Sequence, residues 1–156
     1  MIKKVSRIRL GVNIDHVATL RNARGTFYPD PLKMVKVLEK LRVDGITLHL
    51  REDRRHIIDT DVIHIIKETN LPVNLEMAAT EEMLSIATDL VPNAVCLVPE
   101  RREERTTEGG LDIISEEEKL KSFLRPLAEK KIRTSLFVSP ELKQIEAASR
   151  VGATVV

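Results

Sequence analysis

Short apolar runs alternate with amphipathic stretches along the whole chain, and that alternation limits the possible folds more than any other feature of the sequence. Strands are predicted at RLGVNID (9–15), GITLHLR (45–51), PVNLEMA (72–78), AVCLVPE (94–100), RTSLFVS (133–139) and a final ATVV (153–156). Helices are predicted between them. DPLKMVKVLEKL (30–41) opens with Asp30 as N-cap and Pro31 at the first helical position. DTDVIHIIKETN (59–70) ends at Asn70 before Leu71-Pro72, and TEEMLSIATDLV (80–91) carries two glutamates in its first turn, where the helix dipole favours them. SEEEKLKSFLRPLAEKK (115–131) has Ser115 and Glu118 at capping-box spacing, with Pro126 expected to kink or divide it. SPELKQIEAASRVG (139–152) begins at Ser139-Pro140 and has Gly152 past its end.

A strict strand–helix order calls for parallel strands covered by helices, in one α/β domain over 1–156. A barrel of eight such units takes ~250 residues, or about 30 per unit. The 156 residues therefore match roughly five units and the start of strand six of a (β/α)8 TIM barrel, incomplete at the C-terminus. An open parallel α/β sheet is the alternative, since such folds close at this length.

Bulk properties exclude several function classes. With 25 basic and 24 acidic residues the net charge is +1, which gives no footprint for nucleic acid or an anionic membrane. Aromatic residues make up 3% of the chain with no Trp, so base-stacking platforms are not expected either. The single cysteine, Cys96, rules out an internal disulfide or a thiolate metal cluster and fits a reducing cytoplasm. No apolar run approaches the ~20 residues of a membrane span, and MIKKVSRIRLGVNID has no apolar core of a secretion signal. A cytoplasmic protein is expected.

The strands carry polar residues where a buried sheet has no use for them. In strand one, Asn13 and Asp15 alternate with Val12 and Ile14. In strand two, Thr47, His49 and Arg51 oppose Ile46, Leu48 and Leu50, and in strand three Asn74 and Glu76 alternate with Val73, Leu75 and Met77. Parallel pairing would gather Asn13, Asp15, His16, His49, Arg51 and Glu76 at the C-terminal edge, where barrels and open α/β sheets bind ligands. One such residue is usually a hydrogen-bonded structural group, but three successive strands repeating the placement point to a site. The chemistry on offer is acid–base. Burial would raise the pKa of Glu76 while Arg51 would lower it, His49 can move protons near neutrality, and Arg51 and Arg24 suit phosphate or carboxylate. A divalent metal held by His16, His49, His56, Asp15 and Glu76 is the rival, but neither a His-x-His strand nor a His-Glu-x-x-His helix supports it. TTEGGLD (106–112) is a turn whose amides could approach a phosphate, RREER (101–105) a solvated loop, His64 a surface residue and Cys96 an inert buried thiol.

GVNIDHVATLRNARGT, DGITLHLREDRRHI, NLEMAATEEML, CLVPERREERTTEGGLD and SLFVSP closely resemble the pyridoxine 5′-phosphate synthases of vitamin B6 biosynthesis, in order from about residue 9 to the last. The resemblance implies a TIM barrel that works without metal or organic cofactor. It implies condensation of 3-amino-2-oxopropyl phosphate with 1-deoxy-D-xylulose 5-phosphate, releasing phosphate and water. It also implies His49 and Glu76 as proton acceptors, Asn13, Arg24, Arg51, His56 and Thr106 as ligands of the amino-ketone phosphate, and Asp15 and His16 as contacts to the deoxyxylulose phosphate. The family forms homo-oligomers, described as octamers. It continues for further βα units, which bring an acidic residue after strand six and a later proton-donating histidine. The alternative expectation is a non-catalytic fragment that binds phosphorylated ligands or pairs with intact subunits.

Overall fold

The computed structural model describes residues 7–100 and 109–156. Five strands, β1 (Gly11–Asn13), β2 (Gly45–His49), β3 (Val73–Met77), β4 (Ala94–Leu97) and β5 (Arg133–Leu136), form one parallel sheet in the order β1-β2-β3-β4-β5. Among the described residues there are six helices, α1 (Asp15–Arg24), α2 (Pro31–Lys40), α3 (Asp59–Glu68), α4 (Glu81–Leu90), α5 (Glu117–Glu129) and α6 (Leu142–Arg150), the last following β5. Each new strand is added on the same side of the last. Right-handed crossovers then place every helix on one face, with none of the reversal of order that defines a doubly wound sheet. The arrangement is five βα units of a singly wound barrel. In place of the expected strand at 153–156 there is one parallel bridge, Val155 beside Ser135.

Packing follows from strand periodicity. Ile46, Leu48, Val73, Leu75, Met77, Val95 and Leu97 point to the helical side and are at most 2% exposed. They meet Val35 and Leu38 of α2, Val62 and Ile65 of α3, Met83 and Ala87 of α4, and Leu120, Phe123, Leu124 and Leu127 of α5 in one cluster.

Several element boundaries differ from the sequence expectation. Strand one stops at Asn13, and Asp15 opens a helix that the sequence pattern does not predict. The Asn13 side chain accepts from the Asp15 amide at 2.9 Å, turning the chain into α1, and Gly25 ends it in the left-handed conformation at φ 63°. Only Asp15 and Ala18 of α1 are buried, so its apolar stripe is too weak to announce a helix. The predicted capping box at Ser115 does not form. Its hydroxyl donates back to the Asp112 carbonyl at 3.2 Å, and α5 starts two residues later without a side-chain cap. That helix continues undivided through Pro126, because burial of Leu120, Phe123, Leu124 and Leu127 at about 1.5–3 kcal/mol each outweighs a proline cost of about 3 kcal/mol. The last helix begins at Leu142, after Ser139-Pro140, not with them. Asp30, with Pro31 at the first helical position, caps α2 by accepting from the Leu32 amide at 2.9 Å, as its sequence predicts.

Candidate active site at the C-terminal edge of the sheet

Register brings the polar residues into rows. His49 pairs with Glu76, Glu76 with Cys96 and Cys96 with Ser135. One step earlier, Asn13, Thr47, Asn74, Ala94 and Arg133 form a second row. Both rows lie on the face opposite the helices, since side chains two residues apart share a side. A hollow of about 430 Å³ lies along this face toward the N-terminal strand ends, lined by Gly11, Gly45, Pro72, Asn93 and Arg133 among others. A smaller cleft of about 110 Å³ opens at the C-terminal edge between Arg51, Glu52, Asp53 and Glu100. The titratable cluster sits beside the smaller cleft, the end at which α/β folds place their chemistry. The larger hollow is the open inner face of the sheet.

His49 is held at two points. Its backbone amide donates to Asp15 Oδ1 at 2.7 Å, and its Nε2 lies 2.7 Å from Glu100 Oε1. Asp15 Oδ2 accepts from the Asn13 side-chain amide at 2.9 Å, and Glu100 Oε2 from the Glu52 amide at 3.0 Å, so each carboxylate bridges two elements. The His56 ring lies 5.9 Å from that of His49, tilted by 58°. Asp15, His49 and Arg51 are all buried, an arrangement tolerated only because each is paired. Arg51 Nε donates to Asp53 at 3.4 Å, and Asp53 also receives Arg55.

The loop from β2 to α3 that carries Arg51 and His56 is clamped from both sides. Arg21 of α1 makes a bidentate pair with Asp61 at 2.7 and 2.9 Å and also donates to the His56 carbonyl. Asn22 donates to the carbonyls of Arg55 and His56. From within the loop, Arg54 reaches both oxygens of Asp59, the Glu52 carbonyl and, on α4, Glu82.

Burial pushes the Glu76 carboxyl above its ordinary value, opposed by the charge of His49 and reinforced by Asp15. The balance left open by the sequence thus falls to desolvation, and His49, not Arg51, is the opposing charge. Burial also presses on Glu100, but the bonds from His49 and the Glu52 amide and the charges of His49 and Arg51 leave it below the usual carboxylate range. The His56 imidazole is lowered, chiefly by burial. Asp53 is drawn down to about 2 by its bond from Arg55, with help from Arg51. Burial raises the Cys96 thiol, which fits the expected inert group.

Of the residues singled out in the sequence, Asn13, Asp15, His49, Arg51, His56 and Glu76 come together. His16 is exposed in the first turn of α1. Arg24, at the end of that helix, is exposed and turned to Tyr28, donating to its hydroxyl at 3.0 Å with the guanidinium 4.9 Å above the ring. Thr106 and RREER (101–105) lie outside the described residues. Gly110, from the glycine pair of TTEGGLD, packs so tightly that a Cβ there would stand 2.1 Å from the Ser139 nitrogen. Glu100 escaped the sequence reading, although an acidic residue just past strand four obeys the rule that singled out Arg51. The donor atoms of Asp15, His49 and His56 lie within 4.8 Å of one another, a spacing open to a cation. Both Asp15 oxygens, His49 Nε2 and His56 Nδ1 are engaged by protein groups.

The family model described as Pyridoxal phosphate biosynthesis protein PdxJ matches residues 10–156. A pyridoxine 5′-phosphate synthase of Ruegeria pomeroyi is 55% identical over 152 residues, covering 97% of this chain and 61% of its own. One from Roseobacter denitrificans is 57% identical over 150 residues, covering 96% and 60%, and one from Rhodospirillum rubrum is 56% identical over 149 residues, covering 96% and 60%. The chain spans about 60% of the length of the curated relatives it matches.

Proposed function

This chain belongs to the Pyridoxal phosphate biosynthesis protein PdxJ family, and from that we propose that it carries the acid–base half-site of a pyridoxine 5′-phosphate synthase. The substrates in this proposal are 3-amino-2-oxopropyl phosphate and 1-deoxy-D-xylulose 5-phosphate. The products are pyridoxine 5′-phosphate, inorganic phosphate and water, formed without metal or organic cofactor. One observation carries the reading: His49 and Glu76 are register partners on adjacent parallel strands at the sheet's C-terminal edge, with Asp15, Arg51 and His56 around them.

The reaction is a series of proton transfers. Amine and ketone join as an imine with loss of water, a carbon proton leaves, phosphate is eliminated, and aldol-type attack closes the ring, which becomes aromatic by losing a second water. Each step needs a base and an acid whose pKa lies near the working pH. Glu76 is raised toward that range by burial, as a carboxyl acting as base at neutrality must be. His49 is fixed at backbone and ring, so it loses little entropy in reaching substrate. Arg51, buried beside Asp53, is suited to a substrate phosphate, and Asn13 presents an amide already oriented by Asp15. His16, Arg24 and Thr106 complete the proposed set of substrate contacts.

The product of the whole reading frame, given both substrates, is expected to release phosphate and form pyridoxine 5′-phosphate. Glu76→Gln and His49→Asn should each lower turnover by about 10²–10⁴-fold with an unchanged circular dichroism spectrum. Wild-type turnover in both variants would overturn the assignment.

A further inference from the structure

We propose that Glu100 is a positioning residue for His49: its carboxylate accepts the Nε2–H of the imidazole and so leaves Nδ1 as the atom that receives a substrate proton. This rests on the reading of His49 as a proton acceptor. The geometry is that of a carboxylate–imidazole dyad. Oε1 of Glu100 stands 2.7 Å from Nε2, and Oε2 is occupied by the Glu52 amide at 3.0 Å, so the carboxylate cannot turn without breaking a second bond. Both side chains are almost closed to water, 7% exposed for His49 and 5% for Glu100. A buried carboxylate with no proton to donate admits one arrangement, a ring that donates from Nε2. Glu100 stays ionised in this setting, because the bonds from His49 and Glu52 outweigh its burial.

The proton account closes without a further reactant. In the resting state Nε2 carries the ring's single proton and shares it with Glu100. When Nδ1 takes a proton from substrate carbon, the ring becomes an imidazolium and its charge is opposed by the Glu100 carboxylate. Returning the Nδ1 proton to a leaving oxygen restores the start, and Glu100 itself is never protonated. Among the described residues Nδ1 has no hydrogen-bonding partner. The groups facing the ring are Asp15 at the start of α1, Arg51 and His56 after β2, Glu76 on β3 and Glu100 beyond β4.

The test uses the whole reading-frame product with ring-15N histidine. Wild type should show His49 as the Nε2–H tautomer. In Glu100→Leu that preference should disappear, with kcat lower by roughly 100-fold and KM changed by less than about threefold. Glu100→Gln keeps an acceptor and the shape but not the charge. It should weaken the Nε2–H preference, since its one acceptor oxygen must serve both the ring and the Glu52 amide, and lose less kcat than the leucine variant. Should the leucine variant fail to fold, the glutamine variant decides alone: a wild-type tautomer preference together with wild-type kcat overturns the proposal. Nδ1–H as the wild-type tautomer would do the same. His49→Gln separates the two claims. If it abolishes turnover while both Glu100 variants leave tautomer and kcat as in wild type, Glu100 has no positioning role and His49 keeps its own. If the Glu100 variants alter the tautomer while His49→Gln turns over normally, the hold of Glu100 on the ring stands and the proton-acceptor assignment falls.

Discussion

Glu76, a proton acceptor in the proposed function, shows most directly how a buried carboxyl lowers stability. Its carboxyl is raised above the ordinary value because burial disfavours the anion and Asp15 adds a second negative charge, while His49 only partly compensates. Between the ordinary and the raised value, the folded protein holds a proton that the unfolded chain has released. Stability therefore falls as pH climbs through that window and levels off above it. Glu76→Gln removes the charge at every pH, so it is expected to raise Tm, with a gain near zero at pH 4 that grows toward pH 8. A thermal-melt series across that range checks this, and a variant less stable than wild type at pH 8 would contradict it. Asp15 has the opposite character. It accepts from the buried His49 amide and is itself held by the Asn13 side chain.

Among the elements, the β2–α3 loop is the one on which the site depends, and its shape is imposed by arginines. Arg54 sits at φ 49°, a left-handed conformation that a non-glycine residue adopts only when its surroundings hold it there. Those surroundings are the ion pairs to Asp59 and Glu82 and the bond to the Glu52 carbonyl. Arg54→Met should cost about 1–3 kcal/mol in urea unfolding, the worth of a charge-assisted hydrogen bond or two. It should also speed amide exchange selectively over residues 51–58. Unaltered exchange there would show that Arg21 and Asn22, reaching across from α1, hold the loop by themselves.

For the whole molecule, the sheet divides the labour between its two faces. Leu75, fully buried under the helices, and Glu76, on the other side, are neighbours in sequence with opposite duties. Leu75→Ala is expected to cost about 2–5 kcal/mol in denaturant unfolding while turnover per folded molecule stays within about twofold of wild type. A large loss of kcat with little loss of stability would mean that the two faces are not independent. The five strands contribute to this division in chain order, each adding one row of apolar side chains outward and one of polar or small ones inward.

Much of this architecture is legible in the order of the amino acids alone. The strand–helix order, the parallel sheet, the cap at Asp30 and the polar face carrying Asn13, His49 and Glu76 all follow from local rules: a two-residue alternation along strands, and side chains that bond the nearest backbone amide. The short α1 gives no such signal because so little of it is buried, and Pro126 misleads because the apolar face of α5 overrides a local penalty. What tertiary structure alone decided are the contacts between distant segments. Glu100 meets His49 across 51 residues of chain, and Asp15 meets the His49 amide across 34. No local pattern encodes such a meeting. It exists because parallel strands in register carry their C-terminal ends to one edge, where charges excluded from water must find partners among whatever the neighbouring loops supply.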